Sequence, residues 1–293
     1  MKPYKSKIID VHQHLNFWGR SNKALVRHQE KMGVDLTVVL PSDGKDDLLA
    51  YVSGPEEAYK LTSKRKDFLF ASNAHRDDPK LQLNLAKYLD RGAVLIGELK
   101  FEATGDSSYL HPYIEVAQQY DVPILLHFQE KKGFELSGFE HILAQYPDVN
   151  FIGHATEFWG KMETTTDELL TRYPNFYGDT SASSGWAALH RDYARRFLIK
   201  HQDKLLFGSD CQDPKTPTEA YKKRYGERCL GHESMHQIIS LVSNDVHKKI
   251  FYKNAQRLLK LEDLEKKVHT DGINKILYRN ARKLLGYLGG NDG

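Results

Sequence analysis

Two histidines one residue apart, His12 and His14, close the run Ile8-Ile9-Asp10-Val11-His12-Gln13-His14. In an extended strand alternate side chains share a face, so both imidazoles would point the same way at the strand's end. Such a pair is a claw suited to one divalent metal ion. An isolated H-x-H also has an ordinary reading, as polar residues at a strand terminus. Other apolar runs, however, carry the same kind of side chain near their ends: Glu98 in 94–101, His127 in 123–128, His154 in 150–154 and Asp210 in 205–210. Singly, His127 or His154 could be a half-buried histidine, Glu98 a partner of Lys100, and Asp210 a cap on the next turn. Six metal-capable residues at five strand ends outweigh those separate explanations. By contrast His28, His141, His190, His201, His236 and His247 fall on predicted helices and read as surface or packing residues.

The elements that must position these groups alternate along the chain. Predicted strands cover 8–14, 34–40, 68–73, 94–101, 123–128, 150–154, 175–179 and 205–210. Between them lie helical stretches: Ser21 as N-cap to about Met32 with Gly33 as stop, Pro55 opening 56–66, Pro79 opening a helix to Asp90, then 112–120, 138–145, 167–173 and 187–201. Strands that are mostly continuous apolar runs, alternating with helices, predict a parallel sheet wrapped by helices. Eight such units predict a (β/α)8 TIM barrel, a fold of about 250 residues whose active site lies at the C-terminal ends of the strands. An open doubly wound sheet is the alternative, but no glycine-rich phosphate loop follows the first strand. The expected organisation is a barrel over residues 1–262 and a C-terminal helical extension over 263–293. The helical C-terminal part of the chain holds one internal repeat: 249–259 matches 275–285 at 7 of 11 positions, and two copies are too few for a solenoid.

Composition narrows the classes further. The 293 residues are 40% hydrophobic and 28% charged, ordinary for a soluble globular chain. A net charge of +3 without a dense basic block argues against a nucleic-acid partner. No stretch approaches a membrane span, and the N-terminal residues Met1-Lys2-Pro3-Tyr4-Lys5 lack the apolar segment of a signal peptide. Two cysteines, Cys211 and Cys229, with no C-x-x-C, predict no disulfide framework and a reducing cytoplasm. A homo-oligomer is left open.

With the H-x-H on strand one, His127 and His154 on strands five and six, and Gly208-Ser209-Asp210 on strand eight, the chain resembles the amidohydrolase superfamily. It is most similar to the amidohydrolase-2 branch, which includes aminocarboxymuconate-semialdehyde decarboxylase and related hydrolases. The resemblance covers about residues 7–260, including the Asn254-Ala255 helix. It implies that His12, His14, His127 and Asp210 hold a divalent metal, usually zinc, and that His154 is a catalytic or second-metal histidine. Glu98 matches the bridging carboxylate of two-metal amidohydrolases, whereas the decarboxylase has no ligand there; one ion or two therefore stays open. A divalent ion in such a cage lowers the pKa of bound water to about 7, far below that of bulk water. Asp210 would then take and return the proton, and His154 would polarise a carbonyl. Arg76 and Lys100 could face an acidic substrate or be ordinary solvated charges. Phe17, Trp18, Phe158 and Trp159, in predicted loops, could wall an apolar pocket. The expected activity is hydrolysis of an amide, ester or lactone bond in a small substrate. A non-oxidative decarboxylase of an aromatic or unsaturated acid is the alternative, and a catalytically silent small-molecule-binding barrel the second.

Overall fold

The computed structural model describes residues 7–43, 52–181 and 191–261. Its strands are β1 (Ile9–Gln13), β2 (Leu36–Val39), β3 (Phe68–Phe70), β4 (Ile96–Leu99), β5 (Ile124–His127), β6 (Phe151–His154), β7 (Phe176–Asp179) and β8 (Leu205–Leu206). All neighbouring pairs are parallel, in runs β1-β2-β3 and β4-β5-β6-β7-β8. Two sets of backbone hydrogen bonds join these runs. Val94 N–H donates to Phe70 O (3.0 Å) and Ser72 N–H to Leu95 O (2.8 Å), while Val11 N–H donates to Phe207 O (2.9 Å). The sheet thereby closes into the predicted (β/α)8 barrel.

The helices are α1 (Asn22–Met32), α2 (Pro55–Thr62), α3 (Leu81–Leu89), α4 (His111–Tyr120), α5 (Phe139–Gln145), α6 (Ala155–Gly160), α7 (Thr165–Arg172), α8 (Arg191–Lys200), α9 (Glu219–Tyr225), α10 (Leu230–Leu241), α11 (Asn244–Lys248) and α12 (Asn254–Leu258). The local signals behave as their chemistry requires. Ser21 Oγ accepts Ala24 N–H at 3.2 Å, and Gly33 ends α1 at φ 73°, where a side chain would be strained. Predicted strands two, three, four and eight are longer than those observed; in strands three and eight the excess lies wholly at the C-terminal end, where the chain leaves the ladder for the loops that follow.

Two apolar layers hold the barrel. One gathers Val11, Val38, Leu125, Ile152 and Leu206 from five strands with Ala71, just after β3, and Leu95, just before β4, and so fills the interior. Leu125 and Ile152 precede His127 and His154 by two positions and share their inward face. Ala255 and Leu258 of α12 close this layer, and Asn254 Nδ2 donates to Gln202 O (2.7 Å) and Leu205 O (2.8 Å) at the start of β8. The Asn-Ala of the first repeat copy thus has a structural role. The second copy, 275–285, and the rest of the expected extension lie outside the described residues, as does His190.

The other layer lies between strands and helices, and it corrects one expectation. Phe158 and Trp159 lie on α6 rather than in a loop, and both are buried. Phe158 fits because Gly153 and Gly178 beneath it have no side chain; a Cβ at either would come within 2.7–2.8 Å of its ring. Neither aromatic walls an open pocket. Phe158→Ala is expected to cost about 3–5 kcal/mol, read as a lower denaturant midpoint with an unchanged m-value.

Candidate functional site

The polar ends of β1, β4, β5, β6 and the segment after β8 meet at the mouth of this barrel. Glu98 lies at their centre and is buried. Its Oε1 is 2.6 Å from His127 Nδ1 and 2.8 Å from His154 Nε2. Its Oε2 is 3.4 Å from His14 Nε2 and 3.7 Å from His12 Nε2. Asp210 joins the second side, with Oδ1 3.4 Å from His14 Nε2 and 4.0 Å from His12 Nε2. One carboxylate therefore stands between two pairs of imidazoles.

Each imidazole is aimed by a partner on its other nitrogen. His12 Nδ1 donates to Asp179 Oδ2 at 2.6 Å, and His14 Nδ1 donates to Leu40 O at 2.7 Å. His154 Nδ1 lies 3.1 Å from Ser181 Oγ, and His127 Nε2 lies 2.8 Å from Gln129 Oε1. Fixing one nitrogen sets the ring's orientation and leaves the other for the centre. Asp179 and Ser181, absent from the expected set, belong together: Ser181 N–H and Oγ–H donate to the two oxygens of Asp179, at 2.8 and 2.9 Å. Asp179 did carry a signal, being an acid at the end of an apolar strand like Asp210. Asp179→Asn is expected to weaken metal affinity by about 10–100-fold with little change in fold, checked by metal titration beside circular dichroism.

A buried network holds the backbone that carries these groups. Arg20 donates to Cys211 O (2.7 Å), Gln13 Oε1 (2.6 Å) and His14 O (2.8 Å), and Gln13 Nε2 donates to Ser209 Oγ (2.6 Å). Ser209 Oγ–H and N–H donate to Asp10, as does His12 N–H. Burial pushes the Asp10 carboxyl up to about 6 against those three hydrogen bonds. Asp210 takes a positive φ of 45°, and its N–H donates to His12 O at 2.9 Å. Few non-glycine residues adopt that conformation, and here it accompanies a carboxylate set over His14.

Electrostatics separate the members. Burial opposes charging His12, yet the Asp179 and Asp210 carboxylates outweigh it and raise its pKa well above the usual value. Burial pushes His127 down to about 4, helped by the Lys100 ammonium. Burial alone would raise Glu98, but Lys100 and His154 hold it well below the usual carboxylate range.

The donor set suits a divalent cation. The ligand atoms of His12, His14 and Asp210 lie within 4.8 Å of one another, as do those of His12, Glu98 and His154. Asp210 Oδ1 is buried with no hydrogen-bond partner, an unusual condition for a carboxylate oxygen unless an ion completes it. His127 is placed at Glu98 Oε1 beside His154, 3.2 Å away, not in the His12, His14 and Asp210 group.

The remaining expected residues separate. Phe17 is buried against the His14 ring at 5.2 Å, and Trp18 is half-buried against Phe17 and Tyr225. Trp159 Nε1 donates to Asp179 O and Ser181 O, both at 3.1 Å, so it braces the β7 loop instead of lining a pocket. Arg76 donates to Glu102 O at 3.0 Å and lies over Phe101 and Tyr109. Cys211 and Cys229, expected to be unpaired, form a disulfide, and the premise for a reducing compartment goes with it. Tertiary packing brings their Cα atoms to 5.1 Å across 18 residues, within bridging range. A cavity of about 770 Å³ opens at the far end of the barrel, near Ile9, Leu36 and Leu261. None of the convergent histidines lines it, so its size does not make it the site.

No helix among the described residues is long and apolar enough to cross a membrane. Against curated protein sequences the chain finds no match. Among solved structures it is similar to a 2-pyrone-4,6-dicarboxylic acid hydrolase, so named provisionally, from Pseudomonas putida: TM-score 0.63, 14% identity, 87% of this chain and 98% of that one. An amidohydrolase from Burkholderia multivorans with bound zinc gives TM-score 0.62 at 13% identity, over 87% and 99% of the two chains. A 2,6-dihydroxybenzoate decarboxylase from Rhizobium gives TM-score 0.53 at 15% identity, over 88% and 99%. At such identities the likeness is one of fold. The amidohydrolase family model, by contrast, matches residues 9–261, nearly the whole of the described barrel. With that match spanning every strand and every convergent histidine and carboxylate, the chain belongs to the amidohydrolase family.

Proposed function

We propose that this chain is a divalent-metal-dependent hydrolase, zinc being the favoured ion, that opens an amide, ester or lactone bond in a small substrate. The observation that carries the reading is Glu98, whose two oxygens face different histidine pairs. His12, His14 and Asp210 with Oε2 would hold one ion, and His127 and His154 with Oε1 a second. When bound, such a cation supplies Lewis acidity, drawing electrons from a carbonyl and making water a stronger acid.

The chain's own groups do the rest. Asp210 has 21% of its side chain exposed, against 2% for Glu98, so it is the acid that reaches both the centre and an entering substrate. Burial would raise its carboxyl, but His12 and His14 hold it below the usual range, and it is ionised at neutral pH. It accepts the proton of the attacking water and returns it to the leaving group. The Asp179–His12 and Ser181–His154 pairs keep the rings from turning as charge moves. Lys100, half-buried near Glu98 and His127, is the cation available to an acidic substrate group, whereas Arg76 is engaged by Glu102 and two aromatic rings.

Loss of carbon dioxide from an aromatic or unsaturated acid is the second reading, since a dihydroxybenzoate decarboxylase shares the fold. The two differ in the fate of oxygen. Screening metal-loaded protein against lactones, amides and aromatic acids, then running the hit in ¹⁸O-labelled water, separates them. Hydrolysis places label in the product's new carboxylate. Carbon dioxide release, with no label beyond ordinary exchange, would overturn the first reading.

A further inference from the structure

His28 is a buried group that the mechanism above does not use. It sits on α1, 2% exposed, and neither ring nitrogen has a hydrogen-bond partner. A buried polar group left unsatisfied costs about 1–3 kcal/mol, and such a group in a folded protein calls for an explanation. Its neighbours supply one. The ligand atoms of His28, Cys211 and Cys229 lie within 4.8 Å of one another, and all three residues are buried. Cys211 directly follows Asp210, and Cys229 caps α10, its Sγ accepting His232 N–H at 3.2 Å. Phe17 and Tyr221 cluster with the two cysteines and shield them from water.

The disulfide that joins the cysteines gives the imidazole nothing to do, since a disulfide sulfur is a poor acceptor and no donor. Two thiolates and a neutral imidazole are instead the donor set of a thiophilic ion such as zinc. We propose that in the reduced protein Cys211, Cys229 and His28 bind one thiophilic metal ion, at a site separate from the Glu98 centre. Reduction by an external dithiol puts two electrons into the S–S bond and one proton on each sulfur, while the dithiol becomes its own disulfide. Ion binding then releases the two thiol protons to solvent. The bound ion ties α1, the segment after β8 and the start of α10 together, one residue from Asp210.

The chain has only two cysteines, so a thiolate-to-metal charge-transfer band can arise nowhere else in it. The test is to reduce full-length protein, confirm two free thiols with a thiol reagent, and titrate with cobalt(II) alone. The near-ultraviolet band is expected to saturate at one sulfur-ligated cobalt per chain, to survive His12→Ala with His14→Ala, and to vanish in Cys229→Ser. His28→Ala should weaken cobalt binding at this site by at least ~10-fold. Cadmium-113 NMR of the wild-type protein reads sulfur and nitrogen ligation directly and needs no variant to fold. Two free thiols without a band, a band indifferent to His28→Ala, a cadmium signal without nitrogen ligation, or a disulfide that resists reduction in the folded protein would each overturn the proposal.

Discussion

Glu98→Gln is expected to lower kcat by at least ~10³ and to remove at least one metal equivalent per chain. The amide keeps the size of the carboxylate but loses its charge, and it offers one good acceptor oxygen where two are needed. Glu98 Oε1 meets His127 and His154 while Oε2 faces His12 and His14, so neutralising it weakens both sides together. The substitution also leaves Lys100 without the carboxylate it influences, but at a half-buried site that effect on stability is modest. Elemental analysis of protein purified without added metal, beside a melting curve, separates the two effects. Unchanged metal content with a small stability loss would reduce Glu98 to an ion-pair partner of Lys100. It would then leave His12, His14 and Asp210 as a single-ion site.

Asp210→Asn should lower kcat by at least ~10² under either proposed chemistry, because each needs a proton carried to or from the substrate. The loss should fall on kcat more than on KM, since the side chain acts on the proton rather than on the substrate's resting contacts. The asparagine retains an oxygen that can face His14, and the backbone bond from residue 210 N–H to His12 O does not involve the side chain. Full activity in a variant that keeps its metal would remove Asp210 from the proton path and leave it a ligand alone.

Much of the barrel was legible because its strands are buried on both faces and therefore read as continuous apolar runs closed by glycine, proline or a polar end. The fold's geometry then told where chemistry must gather, so His12, His14, His127, His154, Glu98 and Asp210 could be named from their places on strands alone. The (β/α)8 order, the N-cap at Ser21 and the stop at Gly33 are local properties that side-chain shape and backbone conformation dictate.

What only the tertiary structure decided are relations between distant segments. The β4–β5 register shifts between Ile96 and Leu99, and Ile96 lies in the helix-facing layer, so strict alternation would not have placed Glu98 inward between the histidine pairs. Asp179 was visible as a strand-end acid, but its bond to His12 spans 167 residues and has no sequence signature. The α6 segment is too short to show a helical period, so Trp159 reads as loop in sequence; the room left by Gly153 and Gly178 buries its neighbour Phe158. Cys211, Cys229 and His28 come together from the loop after β8, the N-cap of α10 and helix α1. Local pattern is fixed by neighbours along the chain, whereas these pairings are fixed by which faces the closed barrel brings into contact.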